Sequence, residues 1–515
     1  MSDEEDPVGA GDEEDPVSAG DEEELAETDG DEKPVDASDD EKRVDMTTGA
    51  VTPKLFSLSW PLVAGNLLQT FYNLADMFWL GRYSAEAVAA VALMFPTAWM
   101  FISVAMGLTA AANAIVSQHI GAGNERAAQN VVAQTVILAL VIASLLALVG
   151  FLIRHPLVAL IGAEGAVYDA AIAYIEIIFI TIPFTFLFFV FRAVLRAAGD
   201  TKTAMWLMVI SAGINVVIDP LFILDWGPFL GLGAQGAAIA TLISRIFAAA
   251  VGLYILLHGG WGIKMRVGDM RPDYDVLRQL IAVGYPSSLD GLVRSFAAVA
   301  FAALVARFAA SAIAAYGIAI RLMSVTWTVA GAIGQASATG VGQNLGARQP
   351  GRASEVVWKG TGGTMALLFA FGGIVFLFPE IAMRIFIADP EVVAEGVVLL
   401  QITAPVWAFF GGLMVIQGGF RGAGATKTAF VLSLLSRWLF RIPLAYVLAF
   451  TPPLTPVSVT GLWTGWAIAA VLAFVVGAAW FTRGTWQDAL VDENEEPPPE
   501  AEADAEDVGD ETTTD

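Results

Sequence analysis

The chain contains no cysteine, so it can form no disulfide, no thiolate nucleophile and no cysteine-ligated metal centre. It has only three histidines, His119, His155 and His258. They lie near the ends of apolar runs without HExxH spacing, which argues against a zinc hydrolase. Charged residues are scarce at 15% and badly distributed. Residues 1 to 45 hold 21 acids and 3 bases, and residues 488 to 515 hold 13 acids and no base. The net charge of -25 therefore belongs to the two ends, and the stretch between them carries 18 acids against 24 bases. That positive excess reflects membrane topology, so no nucleic-acid partner is expected. Phosphate loops are missing too, because the glycine turns near Gly121 and Gly199 neither follow a strand nor continue into GK[ST]. The N-terminus has no basic n-region or small-residue cleavage site, so no secretory signal peptide is expected.

What remains is apolar: 56% hydrophobic residues and a mean hydropathy of +0.64 place the chain among integral membrane proteins. Runs of about 20 residues, broken by Gly, Pro and charge clusters, predict an all-α fold of twelve transmembrane helices. The spans lie near 54–80, 84–117, 127–153, 167–191, 203–224, 234–257, 277–307, 310–340, 354–378, 392–418, 428–450 and 459–482. Loops after even-numbered spans carry most of the basic residues: Arg126; Arg192, Arg196 and Lys202; Lys264, Arg266, Arg271 and Arg278; Arg348, Arg352 and Lys359; Arg421 and Lys427. The positive-inside bias puts both termini in the cytoplasm of a multi-pass plasma-membrane protein.

The two halves repeat at one constant offset. Pro61 matches Pro286, VSQHIGAGNERAA from Val116 matches VGQNLGARQPGRA from Val341, and RAAGDTKTA from Arg196 matches RGAGATKTA from Arg421, each 225 residues on. With six spans per half, equivalent helices run in the same direction, giving two six-helix lobes related by an axis along the membrane normal with a substrate path between them. The expected division is a first lobe at 51–257, a cytoplasmic link at 258–276 and a second lobe at 277–484. The ends, 1–50 and 485–515, are low-complexity acidic tails too poor in apolar residues to fold. Acidic surface of this kind suits a halophilic cytoplasm.

One polar stripe interrupts the first span. In PLVAGNLLQTFYNLADMFWL, residues 61 to 80, Asp76 sits in an apolar run with no basic neighbour. An ionised carboxylate there costs about 2.5 to 3.5 kcal/mol on insertion scales, so it is tolerated only against a bundle interior or an aqueous cavity. Tyr72 and Gln69 lie one and about two turns back on the same face, with Asn73 and Asn66 beside them. A second acid, Asp219, stands in span five with Asn215 one turn before it and Pro220 after it. Span six offers the hydroxyl of Thr241. Two carboxylates, an amide and a hydroxyl suit a hard cation such as Na⁺, and equally a proton shared between the acids. In the second half, Asp290 and Arg294 are four apart and positioned to pair on one face, and Arg437 and Arg441 are likewise four apart in span eleven.

NLADMFWLG after Pro61, the VSQHIGAGN loop, VLRAAGDTKTA, NVVIDP and RGAGATKTA together resemble the multidrug and toxic compound extrusion (MATE) family, most closely its DNA-damage-inducible-type and archaeal branch. The resemblance covers about residues 50 to 484. It implies a V-shaped pair of lobes that exports organic, often cationic or amphipathic, compounds in exchange for H⁺ or Na⁺, with no cofactor and no enzymatic activity. It also implies a monomer whose partners are drug-like molecules and the bilayer. Asp76, Asn215, Asp219 and Thr241 fall on the branch's cation-linked set, with the same four residues holding Na⁺ where sodium is the coupling ion. Gln69, Tyr72 and Asn73 fall on its substrate cavity, and Pro61 on the proline where the first helix bends. The rival implied by the wider superfamily is a flippase for lipid-linked saccharides, for which Arg294, Arg437 and Arg441 would hold a pyrophosphate.

Overall fold

The computed structural model describes residues 43–226, 231–259, 263–451 and 457–491. Twelve long helices dominate the described residues: α1 Val51–Tyr83, α2 Ala85–Gly121, α3 Glu125–Leu152, α4 Gly165–Ala197, α5 Thr201–Ile223, α6 Ala234–His258, α7 Tyr274–Val305, α8 Ala310–Gly346, α9 Pro350–Leu377, α10 Pro390–Gly422, α11 Thr426–Phe450 and α12 Val459–Phe481. By length and composition α2 to α12 can each cross a membrane. Only α1 falls short of that apolarity, because Asn66, Gln69, Thr70, Asn73 and Asp76 occupy it. The fold is the all-helical, two-lobed membrane architecture that the apolar runs predict.

Polar turns separate the spans, and several of them supply the side-chain cap that starts the next helix. Asn124 Oδ1 accepts from Ala127 N at 3.0 Å to open α3, and Asp200 Oδ1 accepts from Thr203 N at 2.9 Å to open α5. Gly199 just before that cap has φ +90°, and a Cβ there would come 2.6 Å from Val44 O. The RAAGD turn therefore needs its glycine on both counts.

The pseudo-two-fold relation is visible where α2 meets α8. A Cβ on Gly121 would lie 1.9 Å from Gln343 O, and a Cβ on Gly346 would lie 1.9 Å from Gln118 O. Gly121 and Gly346 are repeat mates, as are Gln118 and Gln343, so this contact is reciprocal in the manner of a two-fold interface. Near it Asn113 Nδ2 donates to Thr339 Oγ1 at 3.0 Å. Farther along α2, Gly107 packs on Gly284 and Ser288 of α7. Leu55, Leu58 and Leu62 of α1 pack against Ala332 and Ala336 of α8 and Val356 of α9. The lobes thus touch through the C-terminal halves of α2 and α8, through α2 against α7, and through the first half of α1.

Several expectations need correcting. Residues 43–50 and 485–491, expected in structureless tails, are anchored on the helices through Met46 and Trp486. Met46 is fully buried, with its N–H donating to Gln343 Oε1 at 2.9 Å and its carbonyl accepting from Arg352 Nε at 2.7 Å. Trp486 stacks on Phe481, 4.4 Å between ring centroids, and Leu490 N donates to Gln118 Oε1 at 2.6 Å. A few apolar side chains in an acidic stretch suffice when a groove already exists to receive them. The rest of both predicted tails lies outside the described residues. Arg192, Arg196 and Arg421, read as loop cations, sit inside α4 and α10, because the helices continue past the apolar runs. Two short helices, Arg154–Leu160 and Pro379–Arg384, add a turn after α3 and α9. The link between lobes is tied to α3: Arg126 grips Asp269 at 2.5 and 2.6 Å, and Gln134 Nε2 donates to the carbonyls of Asp269 and Arg271 at 2.9 and 2.7 Å.

Candidate functional site

Three helices of the first lobe each bring one pair of polar residues a single turn apart: Tyr72 and Asp76 on α1, Asn215 and Asp219 on α5, Thr241 and Arg245 on α6. Because α5 packs against both α1 and α6, the three pairs converge. Asn215 and Asp219 are completely buried, and Tyr72 is 7% exposed. With its amide oriented toward the acids, Asn215 Nδ2 donates to Asp76 Oδ1 and Asp219 Oδ2, at 3.0 Å each. Its Oδ1 then lies 3.4 Å from Thr241 Oγ1, which is 3.2 Å from the Tyr72 hydroxyl.

The Asp76 and Asp219 carboxyl groups are thus brought together on one amide nitrogen, each 3.0 Å from Asn215 Nδ2. Two carboxylates this close, one of them fully buried, are costly as bare anions, so the pair favours a proton between them or a cation beside them. Asp219 Oδ1 is buried with no hydrogen-bond partner, an acceptor left for that occupant. Pro220 follows directly and cannot donate, so the Val216 carbonyl loses its helical partner one turn back. The oxygen-rich set fits H⁺ or Na⁺ as cargo.

All four residues of the expected cation set therefore come together. Of the expected cavity residues, Tyr72 joins this buried cluster, whereas Gln69 and Asn73 stay more exposed and bond to each other, Gln69 Nε2 to Asn73 Oδ1 at 3.2 Å. Pro61 is buried within an unbroken α1, where it removes the donor for the Ser57 carbonyl.

Sequence reasoning missed Arg245. Its guanidinium is 6% exposed, donates to Ser211 Oγ at 3.2 Å, and stacks over the Phe188 ring at 4.2 Å from the centroid. It also lies 6.0 Å from the Tyr72 ring centroid and within electrostatic reach of Asp76, so that acid does have a cationic neighbour, supplied by another helix. A lone arginine inside the apolar run of span six, one turn past Thr241, was the available signal. In the second lobe Asp290 pairs with Arg294 as its spacing predicts, and also with Arg421 Nη2 at 2.9 Å.

Comparison with known proteins gives one family. A profile of the MatE family matches residues 61–221 and 286–447, one copy in each half of the chain. The Bacillus subtilis protein named "Probable multidrug resistance protein YoeA" is 28% identical, over 81% of this chain and 90% of its own. "Probable multidrug resistance protein NorM" of Thermotoga maritima is 27% identical over 86% of this chain and 94% of its own. The "FAD transporter" of Shewanella oneidensis is 27% identical over 76% and 86%. Among solved structures, the outward-facing conformation of a multidrug resistance MATE family transporter superposes with a TM-score of 0.80 at 25% identity, covering 87% of this chain and 98% of the other. With twelve spans in two repeated lobes, and with the family profile matching once in each, the chain belongs to the MATE family of membrane transporters.

Proposed function

We propose that this protein is a secondary antiporter that exports organic, often cationic or amphipathic, compounds in exchange for H⁺ or Na⁺ taken up at Asp76 and Asp219. The observation that carries the reading is that carboxyl groups from two different helices, the half-buried Asp76 and the fully buried Asp219, meet on the same Asn215 amide, with one Asp219 oxygen unpartnered. Names of relatives, multidrug resistance proteins among them, support drug-like substrates. We take residues 51–257 and 277–484 as the two lobes, 258–276 as their cytoplasmic link, and the monomer as the working unit in the plasma membrane.

The mechanism follows from the geometry. In this reading the basic loops lie on the cytoplasmic side, and the reciprocal contact at Gly121 and Gly346 closes that side in the state described. A cation arriving between Asp76 and Asp219 removes the electrostatic reason for a cationic substrate to stay. It also changes what α1 must bond to at its midpoint, and the missing donor at Pro61 gives that helix a place to bend. Parting of α2 from α8 then exposes the site to the cytoplasm, where loss of the cation restores the negative pair that attracts the next substrate. Substrate and cation compete for one charged region without touching.

The test is ethidium efflux and cation uptake in reconstituted vesicles with each gradient collapsed separately. Coupled efflux should disappear in Asp76→Asn and in Asp219→Asn; efflux at the normal rate in both would remove the basis of the proposal. The flippase reading has one observation in its favour, the arginines of the second lobe. Accumulation of lipid-linked intermediates in a deletion strain, with ethidium export unaffected, would select it instead.

A further inference from the structure

The second lobe holds a site of opposite polarity that the antiport scheme does not use. Asp290 on α7 is sealed, its side chain 2% exposed, while Arg294 and Arg421 beside it remain 32% and 23% exposed. Arg437 on α11 donates to Ser433 Oγ at 2.6 Å and lies within electrostatic reach of Arg294, Arg421, Arg441 and Asp290. Arg441 stands over the Trp466 ring, 5.0 Å from its centroid. Three guanidinium groups, those of Arg294, Arg421 and Arg437, thus gather around one carboxylate, Arg441 stands one turn on from Arg437 on the same helix, and Arg294 Nε is buried with no partner. Unbalanced positive charge inside a membrane lobe is expensive and calls for an anion or water in a cavity.

The backbone is specialised at the same place. Residues Leu435–Arg441 of α11 form a π-helical stretch, with Arg437 near its start and Arg441 at its end. Such stretches are uncommon and concentrate at functional sites, since the wider turn re-aims the side chains it carries. The repeat strengthens the point. The mate of Gln69 is Arg294, and the mates of Asn215 and Asp219 are Phe440 and Leu444, which bracket Arg441. Where the first lobe gathers acids, the second gathers arginines.

From this we infer that the basin formed by Arg294, Arg421, Arg437 and Arg441 binds an oxyanion, a phosphate or carboxylate group carried by an aromatic or amphipathic compound. Guanidinium forks match the paired oxygens of such groups, and Trp438, 39% exposed with its Nε1 donating to Val293 O at 3.3 Å, supplies a flat apolar wall beside them. Asp290 acts as a positioning residue that fixes Arg294 and Arg421 in the absence of ligand. The inference deepens the transporter reading by adding anionic compounds to its substrates, but the binding claim stands independently of coupling.

The probe is flavin mononucleotide, with riboflavin as the same ring system lacking the phosphate, titrated by fluorescence against the full chain in phosphatidylcholine nanodiscs. Flavin mononucleotide should bind about tenfold or more tightly than riboflavin, the scale of a charge-assisted hydrogen bond. Arg437→Gln and Arg441→Gln should each erase that preference and leave riboflavin binding unchanged. Displacement by inorganic phosphate assigns the basin to soluble oxyanions, and loss of the probe in phosphatidylglycerol discs assigns it to a lipid headgroup; both support the oxyanion site. Equal affinity for the two flavins, absence of saturable phosphate-dependent binding, or a preference that survives both substitutions in folded protein overturns it. Should the variants fail to fold, the salt dependence of the two flavins on the unmodified chain decides, since only a charge-based preference collapses at high salt. Ethidium efflux measured separately reports whether the antiport reading stands.

Discussion

At the scale of residues, the first lobe solves a solvation problem with three side-chain pairs, each spaced one helical turn. Neither acid would be tolerable alone. Asp219 is held by Asn215, and Asp76 is placed where the same amide reaches it. Arg245 completes the balance from α6, fixed by Ser211 and the Phe188 face. Arg245→Gln should therefore weaken the coupling between cation and substrate by roughly 1–3 kcal/mol, the usual range for linked sites. The measurement is ethidium affinity with and without the cation in detergent, and the expected result is a smaller ratio between the two. Arg245→Lys should recover part of the ratio but not the stacking on Phe188, because an ammonium lacks the flat guanidinium plane.

At the scale of elements, the proposed motion rests on close helix approach and on a missing hydrogen bond in α1. Gly121→Ala would push a methyl group into the Gln343 carbonyl at 1.9 Å, which α8 can relieve only by backing away. Overpacking of this kind costs about 1–3 kcal/mol, and the cost falls only on the state in which α2 and α8 touch. A single reporter cysteine in this cysteine-free chain reads it out. Asn113→Cys, at a position 6% exposed and bonded across to Thr339, should resist maleimide in the parent and react faster when combined with Gly121→Ala. Unchanged labelling would mean the contact does not gate access. Pro61→Ala gives the Ser57 carbonyl its donor back and should stiffen α1. The expected outcome is slower ethidium turnover at unchanged ethidium affinity, measured in the same vesicles.

At the scale of the whole molecule, residues 43–50 and 485–491 act as straps across the end where the lobes meet. Arg43 pairs with Glu125 at 2.8 Å and Val44 N donates to Gly199 O at 3.3 Å, both partners in the first lobe. A few residues on, Arg352 of the second lobe holds the carbonyls of Met46, Thr48 and Gly49. Leu490 makes the converse crossing, from the end of the second lobe to Gln118 of the first, while its carbonyl accepts from Gln279 of α7. Met46→Ala should cost about 2–5 kcal/mol where the lobes touch, as for other fully buried methionines. It should lower the thermal midpoint and raise amide exchange at residues 117–121 and 340–346 together. Exchange rising on one helix alone would show that the strap supports a lobe rather than the junction.

The sequence by itself determined the spans, their doubling and the acids. Apolar length forces helices in lipid, a constant offset forces a parallel repeat, and a carboxyl group within an apolar run has few places to go. Asp76, Asn215, Asp219 and Thr241 could be chosen on those grounds because each announces itself locally, by type and spacing. Only the tertiary structure decided that α1, α5 and α6 converge, that Arg245 rather than a residue of α1 answers the acids, and that Asp290 takes Arg421 as well as Arg294. It also decided that short stretches of acidic tail fold into the junction between lobes. These outcomes depend on which side chains face one another across helices far apart in the chain, and no periodicity within a single helix encodes a neighbour's position.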